Sequence, residues 1–259
     1  MLPIFSLSPS QIAGFFLIFV RIGAIMFTAP IFSSPRVPVQ LRTGICLLLT
    51  FLLQPVVAPD GPQVNFSLIV FGALLLREVI VGLVIGYIAN LLFSAIEMAG
   101  ELQDTQSGFG FAGVVDPNFE RSSAILGQFQ MVLMWLIFMT VNGHHLLMQA
   151  IADSFQLVPL GKFAYHEGLT TQMLRLVTNL LLIAIRISAP VLGSVLLADL
   201  GMGVLQRTAP QLNIMAVGFQ VKIVVAVIVV GLALPFICAL QRDVVFQMAP
   251  AVRDMLSAR

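Results

Sequence analysis

Six apolar runs, near residues 11–32, 41–58, 66–96, 124–142, 174–200 and 214–240, are each long enough to cross a bilayer, which takes about 20 apolar residues in a helix. Lipid offers backbone amides no partner, so runs of this length satisfy their own hydrogen bonds as helices. The composition agrees, with 59% hydrophobic and 10% charged residues, where a soluble domain carries about 25% charged. Such a chain cannot solvate its surface, which excludes a soluble enzyme, a disordered protein and a collagen-like fibre. The expected fold is all-α: a helical-hairpin, membrane-type protein of about six long hydrophobic helices. Proline and polar clusters at 33–38, 55–62, 159–161 and 208–210 mark the boundaries. No linker is long enough to divide the chain, so residues 1–259 read as a single helical domain.

Thirteen Lys and Arg against 12 Asp and Glu leave a net charge of +1 and no basic face for nucleic acid. Orientation does not follow from the loops either. With both ends inside, Lys162, Arg175, Arg242, Arg253 and Arg259 face Arg36, Arg42, Arg121 and Arg207, too even a split for a positive-inside signal. Trp135, Tyr87 and Tyr165 are the only Trp and Tyr that could anchor an interface. Either partners set the orientation or these helices are not ordinary lipid-facing spans. Cys46 and Cys238 lie inside apolar runs, where packed thiols are expected. Residues 1–10 hold no Lys or Arg, and Arg21 interrupts the run that follows, so no cleaved leader is expected.

Charges inside the apolar runs carry more information. Arg21, Arg77, Glu78, Arg186, Asp199 and Lys222 fall within or at the ends of hydrophobic stretches, where one charge costs about 2.5–3.5 kcal/mol on insertion scales. They must face protein or water. A polar conduit or proton relay is one reading; buried pairing between helices, or with a neighbouring chain, is the favoured one. Glu78, Gly82, Gly86, Asn90 and Ser94 recur every four residues and form a small-residue stripe. Gly82 and Gly86 match the G-x-x-x-G packing pattern, which suits an assembly surface and packing within the chain equally.

Beyond the stripe come the acids Glu97, Glu101 and Asp104, of which Glu97 and Glu101, four apart, need water or a basic partner. Then follow Gln106, Ser107-Gly108-Phe109-Gly110-Phe111-Ala112-Gly113 and Asp116-Pro117. Residues 107–113 lack a helical pattern and a polar cover, so this loop should be buried against something or form a re-entrant turn. Catalytic signatures are missing: the chain has no Walker A sequence, no H-E-x-x-H and no G-x-S-x-G. No metal or cofactor site is expected. His144 and His145 are adjacent, so a helix would point them about 100° apart, and Gly143 is expected to stop the preceding helix. Pro190 and Pro235 should each kink a long helix. Transporters use such breaks to bind substrate, so a stand-alone secondary transporter is the rival class.

Several segments in order resemble one family. Gly100 to Pro117, Asn142-Gly143-His144, Asp153-Ser154-Phe155 to Pro159, Ala189-Pro190, and Arg207 to Asn213 followed by Gly218 and Lys222 look like FliR, as do Arg21, Pro30 and Pro38 to Arg42. FliR is the R component of the flagellar type III export gate, related to the T component of injectisomes, which is the alternative assignment. The resemblance implies a non-enzymatic subunit of the bacterial inner membrane and flagellar basal body. It would join FliP and FliQ homologues as five P, four Q and one R, with the FlhB homologue alongside and membrane lipid around. Unfolded flagellar export substrates would pass through. The family's pore plug maps onto Gln106 to Arg121, with Phe109 and Phe111 as apolar tips and Glu97, Glu101 and Asp104 at the pore mouth.

Overall fold

Local signals set most helix ends. The computed structural model describes residues 8–33, 37–59, 67–109, 125–164, 167–208 and 214–257. Helix α1 (Pro9–Thr28) opens on a capping box, in which the Ser8 side chain accepts from Gln11 N–H and the Gln11 side chain accepts from Ser8 N–H, with Pro9 in the first turn. It closes at Ala29, held extended before Pro30, where a short α2 (Pro30–Ser33) begins. Helix α3 (Val39–Val57) runs back along α1: Gln11 Nε2 donates to Pro59 O and Gln54 Nε2 to Gln11 O, both at 3.1 Å. Helix α4 (Leu68–Ser107) starts under the Ser67 hydroxyl and stops where Gly108 takes φ +88°, a left-handed value that favours glycine.

Helices α5 (Ile125–Thr140) and α6 (Gly143–Leu157) are separated by Asn142 at φ +54°. The left-handed residue of the break is therefore Asn142, since asparagine tolerates that region. Gly143 opens the next helix rather than ending the last one, and a side chain there would strike the Phe138 ring. Helix α7 (Glu167–Thr208) continues through Pro190, and α8 (Ile214–Ser257) through Pro235. Among the described residues, five helices are long and apolar enough to cross a membrane, six if α5 and α6 count as one broken span. The expected all-helical architecture holds, but three helices overrun their apolar runs. At 40, 42 and 44 residues, α4, α7 and α8 measure about 60 Å or more at 1.5 Å per residue, roughly twice the thickness of a hydrocarbon core.

The described residues form two compact units: 1–91 with 144–176 and 247–259, and 92–143 with 177–246. Neither is a contiguous stretch of sequence. In the first, Leu17, Ile18, Ile22 and Ile25 of α1 are buried, as are Val81, Ile85 and Ile88 of α4 and Leu147 and Ile151 of α6. In the second, Phe93 lies 4.8 Å from Trp135 and 5.7 Å from Phe138, ring centre to ring centre. The one tryptophan thus joins an aromatic cluster instead of standing free as an interface anchor.

Candidate functional site

Within the first unit, Arg21 and Glu78 meet in a fully buried ion pair, Nε to Oε2 at 2.5 Å. Their neighbours complete the network. Arg21 Nη1 donates to Ser154 O at 3.1 Å, a carbonyl that also accepts Val158 N–H, and Nη2 donates to Val158 O at 2.9 Å, just past the end of α6. The same guanidinium stacks 4.4 Å over the Phe155 ring. Glu78 Oε1 accepts Gly161 N–H at 2.7 Å, while Arg77 Nη1 donates to Gly161 O at 2.9 Å, so adjacent side chains of α4 grip both sides of one turn. Gly161 has φ +73°, which this turn requires. Arg21, Glu78 and Arg77 therefore tie α1, α4 and the end of α6 together.

The small-residue stripe serves the same junction. A Cβ on Gly82 would sit 2.5 Å from the Arg21 carbonyl oxygen and 2.6 Å from Ala24 Cβ, and one on Gly86 would overlap the Thr28 side chain. Asn90 Nδ2 donates to Thr28 O at 3.3 Å. Gly82, Gly86 and Asn90 thus let α1 lie directly on α4, which is packing within the chain.

Within this chain alone the other charges of the apolar runs are less buried. Arg77 and Arg186 are exposed on this chain; the helix face that carries Arg186 turns outward. Asp199 and Lys222 do pair, at 2.6 Å across α7 and α8, but their side chains are 37% and 21% exposed. A pair this open contributes about 0–1 kcal/mol. Lys222→Met should therefore leave the accumulated level and protease resistance of the chain close to unchanged, and a loss of several-fold would show that the pair is covered in the cell.

Asp104 departs furthest from its expected role. Glu97 and Glu101 are exposed along α4, but Asp104 is 3% exposed. Its Oδ1 accepts Leu126 N–H at 3.0 Å and its Oδ2 accepts Gly127 N–H at 2.9 Å. It caps α5 from a buried position. Phe109 is likewise no free tip: it packs against the cluster of Leu126, Val191, Val195, Ala226 and Val230. Gln106 is exposed, Ser107 is buried, and Gly108 lies against the Phe219 ring, where an added Cβ would come within 2.9 Å. Gly110, Phe111, Ala112, Gly113, Asp116 and Pro117 lie outside the described residues.

Sequence reasoning missed a second buried network. Gln103 Nε2 donates to Ile187 O at 3.1 Å, Gln130 Nε2 to Gln103 Oε1 at 3.2 Å, and Gln241 Nε2 to Gln130 Oε1 at 2.7 Å. All three glutamines are fully buried. A glutamine is uncharged and common in helices, so only its place in an apolar run could have marked it. The His144 and His145 rings lie 4.3 Å apart, closer than ideal helical divergence implies. Among the described residues, no three His, Cys, Asp or Glu side chains are grouped to hold a metal.

The family described as bacterial export proteins, family 1, matches residues 12–248. The flagellar biosynthetic protein FliR of Bacillus subtilis (strain 168) is 32% identical over 256 residues, covering 94% of this chain and 95% of that protein. FliR of Pectobacterium carotovorum subsp. carotovorum is 30% identical, with coverage of 95% and 94%. FliR of Escherichia coli (strain K12) is 27% identical, with coverage of 92% and 90%.

Proposed function

Because this chain belongs to the FliR family of bacterial export proteins, we propose that it is a non-enzymatic core subunit of the flagellar type III export gate. It works in the inner membrane at the flagellar basal body. FliP and FliQ homologues build the channel with it, the FlhB homologue attaches, and unfolded flagellar subunits are the cargo. One observation carries the assembly reading. Large apolar side chains stand exposed along helices about twice as long as a bilayer core is thick, among them Leu68 at 87%, Leu197 at 70% and Leu232 at 78%. Lipid can cover only part of such helices, so other apolar protein surfaces must cover the rest.

The connection Gln106 to Arg121 is the closing element in this proposal. Its support is the fixed root at Ser107 to Phe109, from which an apolar, glycine-containing segment starts. Apolar rings in a narrow passage exclude water. Coexpression with the P and Q homologues should move the chain into one much larger complex. Deleting Gly110 to Gly113, which spares the root, should leave that complex assembled and let reconstituted vesicles leak small ions. A stable monomer indifferent to both partners would overturn the assembly. An assembled deletion complex as tight as the unmodified one would reduce the connection to a packing element.

A further inference from the structure

The chain leaves α4 at Ser107 and enters α5 at Ile125, and these two points are fastened to each other by residues outside the connection. Asp104, in the last turn of α4, holds the amides of Leu126 and Gly127 in the first turn of α5. Those amides have no acceptor within their own helix, and the positive end of the helix dipole favours a carboxylate there. Gly100, one turn back, touches Gly127 so closely that an added Cβ would overlap its backbone. Next to Asp104, Gln103 links through Gln130 to Gln241 and reaches Ile187 O. The approach is therefore fixed by neighbouring helices as well as by the carboxylate.

We propose that Asp104 is a positioning residue that clasps the two ends of the connection between α4 and α5, so that the connection is presented from one closed base. Both carboxylate oxygens are used on backbone amides, so the group acts as an acceptor and does not need to exchange a proton. The proposal rests on reading this connection as the closing element of the export path.

Hydrogen exchange at Leu126 and Gly127 tests it directly, using the full chain in detergent together with whatever partners purify with it. Hydrogen bonds to a charged group are worth more than neutral ones, so Asp104→Ala should speed exchange at both amides by about ten- to a hundredfold. Asp104→Asn keeps one carbonyl acceptor and should fall between the two. Thr105→Ala, at an exposed neighbour, should change nothing. If Asp104→Ala does not accumulate, Asp104→Asn and Asp104→Ser supply the same comparison. Unchanged exchange in the substituted protein, or Asn as fast as Ala, overturns the clasp whatever the ion leak does. Faster exchange with an unaltered leak keeps the clasp and removes the plug reading instead.

Discussion

Replacing Arg21 with alanine should remove about 3–5 kcal/mol of stability, because it leaves the Glu78 carboxylate charged, buried and without its partner. That is a large share of the roughly 5–15 kcal/mol that holds a typical fold. The carbonyls of Ser154 and Val158 each lose the Arg21 hydrogen bond in the same step, though Ser154 O keeps the Val158 amide. Arg21→Ala should therefore accumulate poorly in membranes and be degraded by added protease where the unmodified chain resists. Glu78→Ala should do the same, since it strands Arg21 and the Gly161 amide. Arg21→Lys should recover little, because one ammonium cannot reproduce a planar fork that serves a carboxylate and two carbonyls. The double variant Arg21→Met with Glu78→Met should recover more than either alanine variant, as removing both charges avoids the stranded one. Normal accumulation of Arg21→Ala would mean that water reaches this site in the cell.

Gly100→Leu should be comparably damaging. Gly100 and Gly127 bring α4 and α5 into backbone contact, and overpacking a close contact costs about 1–3 kcal/mol by itself. Pushing the helices apart would also stretch the Asp104 bonds to Leu126 and Gly127 and the bond from Gln130 to Gln103. Charged hydrogen bonds are worth about 1.5–3 kcal/mol each, so a total loss of roughly 3 kcal/mol or more is expected. Gly72→Leu provides the contrast: on the same helix, nothing lies within 4 Å of a Cβ built there. That change should be harmless or stabilising, since leucine is the better helix former by several tenths of a kcal/mol. Equal protease resistance of the two variants would show that α4 and α5 separate freely.

The two glycines mark how far the sequence could be read. Gly72 and Gly100 are the same residue on the same helix, and nothing in their immediate neighbours tells which one meets another backbone. Gly82 and Gly86 did carry a signal, because their spacing places them on one face together with Glu78 and Asn90. What that face meets was still open, and the answer is α1. Phe109 was legible in the same partial way: a segment without a polar cover needed burial, and only the structure gives the cluster of Leu126, Val191 and Val230 that it packs against.

By itself the sequence determined that the chain is helical and apolar, where most helices begin, and that charges such as Arg21 and Glu78 needed partners. These features are local: apolar runs, prolines, caps such as Ser8 and the left-handed Gly108 act within a turn or two of where they stand. Only the tertiary structure decided that Arg21 belongs to Glu78, 57 positions away, that Asp104 faces inward to cap α5, and that Gln103, Gln130 and Gln241 form one line. Such pairings depend on how helices cross, and the crossing is set by side chains fitting over whole helix faces. Spacing along the chain shows which face a residue occupies and leaves undetermined what that face will meet.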